Sequence, residues 1–515
     1  MKIIYIITII IVLILFLYLR KSNKSNKLIR NHHKVIIEKN KDTEELVIAM
    51  CNEDIKWVKK YVEKYKLITI YNKCKKIIPF EHPKIRIIET PNIGSCDYAF
   101  LSYIIERYDN LPHYVEFTKG WIKPTNKYYN CLSCKGNSSM YDKLMNFTIK
   151  DHKFGYKFNK TNDNLEWHPS GYKNIGEWIE YNDFLNKELY KRNYCNIIFG
   201  GNFGTTSEQI RRTPKKVWEA IRSMQKYPRE EVDHFIERTW GPLLCKPKYK
   251  LVIVAIFKNE KVAIREWIEH YIREGVEHFY MIDNGSTDDW SSEIRDIPND
   301  ILTIYTDKEK YKQNDHYNNY FLEEVKQNAE WVMVVDLDEF MYARNYNNKI
   351  TDVLESTPND IGEIQVRWKM FGSNGHIIQP DSIIKGFIKR NIIDDTKEFN
   401  HCKSICRTIF LESLGIHNNK ISPNTKIICY PEDSDEQLLM DSPLHLNHYT
   451  IQSKEWFSNV KMTRGAADTS SSEHVRNEEY FQKYDCNDMF DTELYEKTYH
   501  YSHIFENNTH IKRMR

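Results

Sequence analysis

The sequence predicts an α/β protein built of two successive α/β domains behind an N-terminal membrane anchor, and three observations carry that expectation. From residue 44 onward, short apolar runs alternate with helically spaced segments, the pattern of parallel strands covered by helices. That alternation stops at the polar stretch "CKPKYK" (245–250) and starts again, which divides the chain into 44–246 and 248–505. A length of 515 residues is also more than one hydrophobic core accommodates. The 74 basic and 72 acidic residues are interspersed and leave a formal charge of +2, so no nucleic-acid partner is expected.

Residues 1–20 contain the uncharged run Ile3 to Leu19, roughly 17 residues and just long enough to span a hydrocarbon core as a single-pass transmembrane helix. No small-residue cleavage site follows, which argues against a removed signal peptide. Arg20, Lys21, Lys24 and Lys27 outnumber Lys2 on the other flank, so the positive-inside rule points the bulk of the chain to the cytosol. Residues 21–43 form a polar tether. The first domain then reads as strand "ELVIAM" (45–50), helix "DIKWVKKYVEKY" (54–65), strand "LITIYN" (67–72), helix "CDYAFLSYIIERY" (96–108) and strand "YVEFT" (114–118). A stretch from Lys119 to about Asn174 reads as an insertion, followed by helices at 206–226 and 230–240. The 11 cysteines are scattered, with Cys131/Cys134 and Cys402/Cys406 as close pairs, so free thiols are expected rather than a zinc site.

The second domain opens with strand "LVIVAIFKNE" (251–260) and helix "VAIREWIEHYIREG" (262–275). Strand "HFYMIDNGSTDD" (278–289) runs straight into a polar turn, which sets Asp283, Asn284 and Asp288 beyond a strand's carboxyl end, where open α/β sheets bind ligands. In "WVMVVDLDEFM" (331–341) a fully apolar strand ends in Asp336, Asp338 and Glu339. Alternation along an extended chain would point Asp336 and Asp338 to one side. Two carboxylates there call for a cation, and hard oxygen ligands suit Mn2+ or Mg2+ bridging a polyphosphate. Lys403 and Arg407, four apart, would share a helical face, either turned toward that phosphate or exposed as a basic surface. "WKMFGSNGH" (368–376) ends a strand in a glycine-containing loop that would shape a sugar or acceptor pocket.

Taken in order, "IFKNE", "WIEHYIREGVEHFYMIDNGSTDD", "WVMVVDLDEFM", "WKMFGSNGHIIQP", "CKSI" and "HLNHYTIQSKEWFSNVKMTRG" resemble glycosyltransferase family 92, whose members have the GT-A fold, over roughly residues 248–505. The resemblance implies a Rossmann-like nucleotide-sugar-binding domain and an inverting transfer of a hexose, galactose for preference, from a UDP-sugar to a glycan or glycoconjugate hydroxyl. It implies that Asp336 and Asp338 hold manganese as a DxD pair and that Asp283, with Asn284, meets the nucleotide. His448 is the expected third metal ligand, because a neutral imidazole suits manganese. Lys461 and Arg464 on the following helix, with Lys403 and Asp336, are expected to contact the nucleotide sugar. A carboxylate base is expected downstream of the DxD: Asp395 by position, with Glu363, Asp381 and Glu398 as alternatives.

"VIAMCNEDIKWV", "IYNKC", "PNIGSCDYAFLSYIIERYDNLP", "NFGTTSEQIRRTPKKVWEAI" and "HFIERTWGPLLC" resemble domain of unknown function 3431, a glycosyltransferase-like family. Where that family usually has Gly-Arg-Glu, this chain has Gly94-Ser95-Cys96-Asp97 and no DxD, which leaves the activity of 44–246 open. The transferase resemblance favours a lumenal catalytic region, against the charge flanking the anchor. Two other readings stay open: a catalytically inactive sugar-binding or structural surface protein on a transferase fold, and a haloacid-dehalogenase-like phosphatase. The phosphatase motif wants Thr or Val two places after the second Asp, where this chain has Phe340.

Overall fold

A computed structural model describes residues 44–121, 168–189, 201–244, 246–345, 347–392, 401–423, 425–464 and 476–498. The expected anchor and tether (1–43), the Cys131/Cys134 pair, Asp395 and Glu398 lie outside the described residues. Among the described residues, no helix is long and apolar enough to cross a membrane. The chain forms two compact units, Met1–Lys246 and Pro247–Arg515, each with its own sheet.

The first unit has β1 (Glu44–Met50), β2 (Leu67–Asn72), β3 (Ile85–Glu89), β4 (Tyr114–Lys119) and β5 (Phe203–Thr206). They lie in the order β3-β2-β1-β4-β5, parallel except for β5. β1 is almost wholly buried, as expected of a central parallel strand covered on both faces. The helix expected at 54–65 is only a 3-10 turn, Lys56–Lys60. The chain must double back at once, because the Lys66 N–H already pairs with the Glu44 carbonyl at 2.9 Å to start β2. The helix expected at 206–226 is two helices, Ser207–Arg211 and Lys215–Ser223, divided at Pro214, which has no N–H to continue a helix. Cys51 and Cys74, beyond the ends of β1 and β2, form a disulfide with a Cα–Cα distance of 4.7 Å, where free thiols were expected. Cys402 and Cys406 are free.

The second unit begins with parallel strands β6 (Tyr249–Phe257), β7 (His278–Asp283), β8 (Leu302–Thr306) and β9 (Ala329–Val334). There follow β10 (Glu339–Ala343), β11 (Ile361–Met370), β12 (Lys389–Arg390), β13 (Cys402–Arg407), β14 (Leu411–Ser413), β15 (Lys420–Ile421), β16 (Lys426–Tyr430), β17 (Leu444–His448) and β18 (Met489–Phe490). The main sheet runs β10-β17-β11-β13-β9-β6-β7-β8, with β16 beside β11. Lys403 and Arg407 therefore lie on a strand and not on a helix, with Ile405 between them paired to Ile364 on one side and Met333 on the other. Arg407 lies 4.1 Å from the Trp331 ring and donates to the Ile361 carbonyl at 3.1 Å, so it holds strands together.

A buried ionic network fastens the C-terminal segment to this sheet. Lys369 on β11 is fully buried and donates to Asp491 at 2.9 Å and to the Tyr342 hydroxyl at 2.7 Å. Arg390 donates to the same Asp491 carboxylate at 2.6 Å. Glu493 accepts from Tyr342 at 2.8 Å and pairs with His445 Nδ1 at 2.7 Å. Burial alone would raise both carboxyls. Lys369 and Arg390 instead hold Asp491 well below the carboxylate range, and the His445 contact brings Glu493 down to about 2. Since the unfolded chain binds these protons first, the stabilisation is complete above about pH 4.5 and disappears as pH falls toward 2. The melting temperature is accordingly expected to fall steeply below pH 4.5, and less steeply in Glu493→Gln; superimposable melting profiles from pH 6 to pH 3 for the two proteins would contradict this.

Candidate active site

The acidic cluster sits at the carboxyl end of β9. The chain does not stay extended through it: the Glu339 N–H returns to the Asp336 carbonyl at 3.1 Å, closing a tight turn between β9 and β10. Helix Ile264–Arg273 pins that turn, with Trp267 Nε1 donating to the carbonyls of Asp336 and Glu339, both at 3.0 Å, and the Tyr271 hydroxyl donating to Glu339 O at 3.0 Å. In a turn the strand alternation lapses, and the two aspartates take different partners. Asp336 reaches Lys403 Nζ at 2.8 Å, whereas Asp338 pairs with Lys461.

Each buried charge here has a counter-charge. Lys403, fully buried on β13, also lies 3.5 Å from Glu339, whose carboxylate accepts from the Asp336 N–H at 2.8 Å. Burial would depress the Lys403 ammonium, but Asp336 and Glu339 push it well above its usual value. Burial also tends to raise Asp336, and Lys403 outweighs it to hold that carboxyl below its ordinary range. Asp338 is held lower still, chiefly by Lys461 with help from His448 and Arg464. Glu339 goes the other way: burial, with the two neighbouring aspartates, lifts it to about 8 against the pull of Lys403, so it is mostly protonated at pH 7. Arg464 completes the set by pairing with the buried Glu260 and donating to the Lys258 carbonyl at 2.8 Å.

Lys461 and Arg464 reach the cluster from the helical segment Lys454–Arg464, whose middle turn, Phe457–Lys461, is a π-helix, a widening frequent at functional sites. His448 ends β17 opposite Glu339 on β10, and its Nε2 faces Asp338 Oδ1 at 3.6 Å. That separation exceeds a hydrogen bond, and the two side chains together would hold a divalent ion. His448 Nδ1 is buried without a hydrogen-bond partner among the described residues, and burial keeps the ring below its ordinary pKa and so neutral. Asp338 and His448 therefore suit a divalent ion. Asp336 is turned to Lys403, and no group of three His, Cys, Asp or Glu side chains among the described residues forms a metal cage.

The other expected residues divide. Asp283 ends β7 and accepts from the Ser286 N–H at 2.7 Å, and Asn284 ties the following loop by donating to the carbonyls of Asp307 and Glu309 at 2.7 and 2.8 Å. Asp288 accepts from the Lys261 N–H at 2.8 Å, interlocking the loops after β6 and β7. Glu363 is not placed to act as a base: it is fully buried, with one oxygen accepting from Gln365 at 2.9 Å and the other from Asn419 at 3.0 and 3.1 Å. Asp381 lies exposed just before the short helix Ile383–Gly386. Sequence reasoning missed Glu260, Gln313, which donates to Asp336 Oδ1 at 3.5 Å, and Trp368, whose ring centroid lies 4.4 Å from that of His448. Glu260 stands in the quoted "IFKNE", but nothing in the local pattern announces an arginine partner some 200 residues away.

Because Lys403 is the ion-pair partner of Asp336 among the described residues and also contacts Glu339, Lys403→Met should lower stability, but by less than the roughly 3–5 kcal/mol usual for stranding a fully buried charge, since a third of the Asp336 side chain reaches solvent. Adding Glu339→Gln should recover little, since Glu339 is already mostly neutral, whereas adding Asp336→Asn should recover most. Denaturant melts of the three proteins check this ordering.

Residues 252–484 match the profile described as Glycosyltransferase family 92. A curated protein of Oryza sativa subsp. japonica described as a glycosyltransferase family 92 protein is 25% identical over 134 residues, which is 25% of this chain and 22% of that protein. The chain thus spans well under two thirds of that relative's length. The crystal structure of S. aureus TarS aligns with 31% of this chain and 29% of its own at 17% identity, with a TM-score of 0.21, too slight a likeness to carry an argument. The matched segment holds Asp336, Asp338, Lys403, His448, Lys461 and Arg464 and leaves the first unit untouched; the C-terminal half of this chain is glycosyltransferase family 92-like.

Proposed function

We propose that the chain is a glycosyltransferase, a metal-dependent inverting enzyme that moves a hexose, with galactose the favoured sugar, from a UDP-sugar to a glycan or glycoconjugate hydroxyl. The observation that carries this reading is the arrangement of Asp336 and Asp338, each against its own lysine, at the carboxyl edge of the sheet inside the family-92-like segment. Carboxylates and ammonium groups so interleaved suit a substrate that is itself an anion carrying a cation. Bound manganese or magnesium, held by Asp338 and His448, would supply the Lewis acidity that draws charge from the departing diphosphate. Lys461 and Arg464 stand beside those ligands and would accept the negative charge that develops on the leaving group. Asp283 and Asn284, at the end of β7, would fix the nucleotide. Activity is assigned to residues 248–505, and 44–246 is left as an α/β domain of separate role.

The chain is taken to be held to a membrane by residues 1–20 and to work in the lumen. The Cys51–Cys74 disulfide supports that side, since such bonds persist in oxidising compartments. Expressed with microsomes, the chain should gain endoglycosidase-sensitive mass at Asn146-Phe147-Thr148 and resist external protease; a protease-sensitive, unshifted chain would place it on the cytosolic side.

Replacing Asp338 with Asn should abolish manganese-stimulated UDP-sugar turnover. It strands the Lys461 ammonium, so some stability should be lost, and Asp338→Asn/Lys461→Met should regain that stability without regaining turnover. Manganese-dependent UDP release by Asp338→Asn at the wild-type level would sink the reading.

A further inference from the structure

We propose that His417 is the general base that takes the proton from the acceptor hydroxyl, an inference that rests on the transferase reading above. The carboxylates expected in that role are unsuited or unplaced: Glu363 has both oxygens engaged, Asp381 is an exposed loop residue, and Asp395 and Glu398 lie outside the described residues. His417 stands in the loop between β14 and β15, with its ring centroid 5.6 Å from that of Trp368. Trp368 lies against His448, and His448 faces Asp338. One indole thus joins the metal-suited pair to a second imidazole.

The tautomer of His417 follows from its hydrogen bond. Nδ1 lies 3.0 Å from the Cys402 carbonyl oxygen, and a carbonyl only accepts, so Nδ1 carries the hydrogen. In the neutral ring Nε2 then holds a free lone pair, and it has no hydrogen-bond partner among the described residues. The backbone bond orients the ring much as a carboxylate orients a catalytic imidazole. His417 is half-buried, and the charges facing it are Lys403 on β13 and Asp336 beyond β9, with His401 the neighbouring imidazole at 5.6 Å between ring centroids. Burial, aided by the Lys403 ammonium, keeps its pKa below the ordinary histidine value, so the ring is neutral and ready to accept a proton at pH 7.

In the reaction, Nε2 takes the hydroxyl proton as the hydroxyl oxygen forms a bond to the anomeric carbon. The bond from that carbon to the diphosphate oxygen breaks with its electron pair, so the nucleoside diphosphate leaves as an anion. The proton passes from His417 to water once the product departs.

The test uses the full chain with manganese and UDP-galactose, with water as the acceptor, reading UDP release and, separately, UDP-galactose affinity by calorimetry. His417→Gln should lower UDP release by about 10²–10⁴-fold, leave UDP-galactose affinity within about twofold, and erase the acid limb that the wild-type pH profile of kcat/KM shows below the ordinary histidine range. Added imidazole should restore part of the rate to His417→Ala, which a merely structural role would not allow. His401→Gln, next to the same indole, should stay within about threefold of wild type. UDP release by His417→Gln within threefold of wild type, or an unchanged acid limb, would overturn the base assignment while leaving the transferase intact. A wild-type chain that binds UDP-galactose but never releases UDP would overturn both.

Discussion

Two aspartates beside a buried glutamate at the end of a strand stay ionised only if positive charge is delivered to them from elsewhere in the chain, and much of the second unit is arranged around that requirement. β13 inserts between β9 and β11 and carries Lys403 to Asp336. The chain leaving β17 turns into the helical segment that carries Lys461 to Asp338 and Arg464 to Glu260. Trp267 and Tyr271 spend their polar atoms on the carbonyls of the turn itself, so the backbone is fixed before the side chains are considered. A buried pair contributes little net stability against an apolar substitute, but removing one partner is costly. Such an arrangement therefore specifies where the acids sit more than it strengthens the fold.

Much of this was legible in the sequence where a short-range signal existed. The strands "LITIYN" and "HFYMID" are found as written, and the acids follow an apolar strand as the pattern of "WVMVV" implied. Failures arose where a distant contact decided the outcome. The spacing of Lys403 and Arg407 fits a helix, but "CKSICR" alternates equally well, and the sheet on both sides settled it. Asp336 and Asp338 obeyed a turn that Trp267 and Tyr271 enforce from another element. The base was sought among carboxylates by position, and the arrangement of His417, proposed above for that role, becomes visible only when the Cys402 carbonyl fixes its tautomer and Trp368 brings it near the site.

The two sheet edges treat their acids in opposite ways. In the first unit, Asp97 opens the helix that follows Gly94-Ser95-Cys96, and it accepts from Trp240 Nε1 at 2.6 Å, while Asp233 accepts from Gln225 at 2.8 Å. Lys73, the cation nearest by sequence to the end of β2, spends its ammonium on backbone carbonyls, reaching Ile93 at 2.6 Å. Without a dedicated counter-ion, burial raises Asp97 to about 6 and Asp233 to about 7. In the second unit, burial acts on Asp336 and Asp338 with the same sign, and their lysines reverse it. A divalent cation needs ionised ligands. The second unit thus keeps its aspartates in the ionised form that cation binding needs, whereas the aspartates of the first unit are disposed to take up protons.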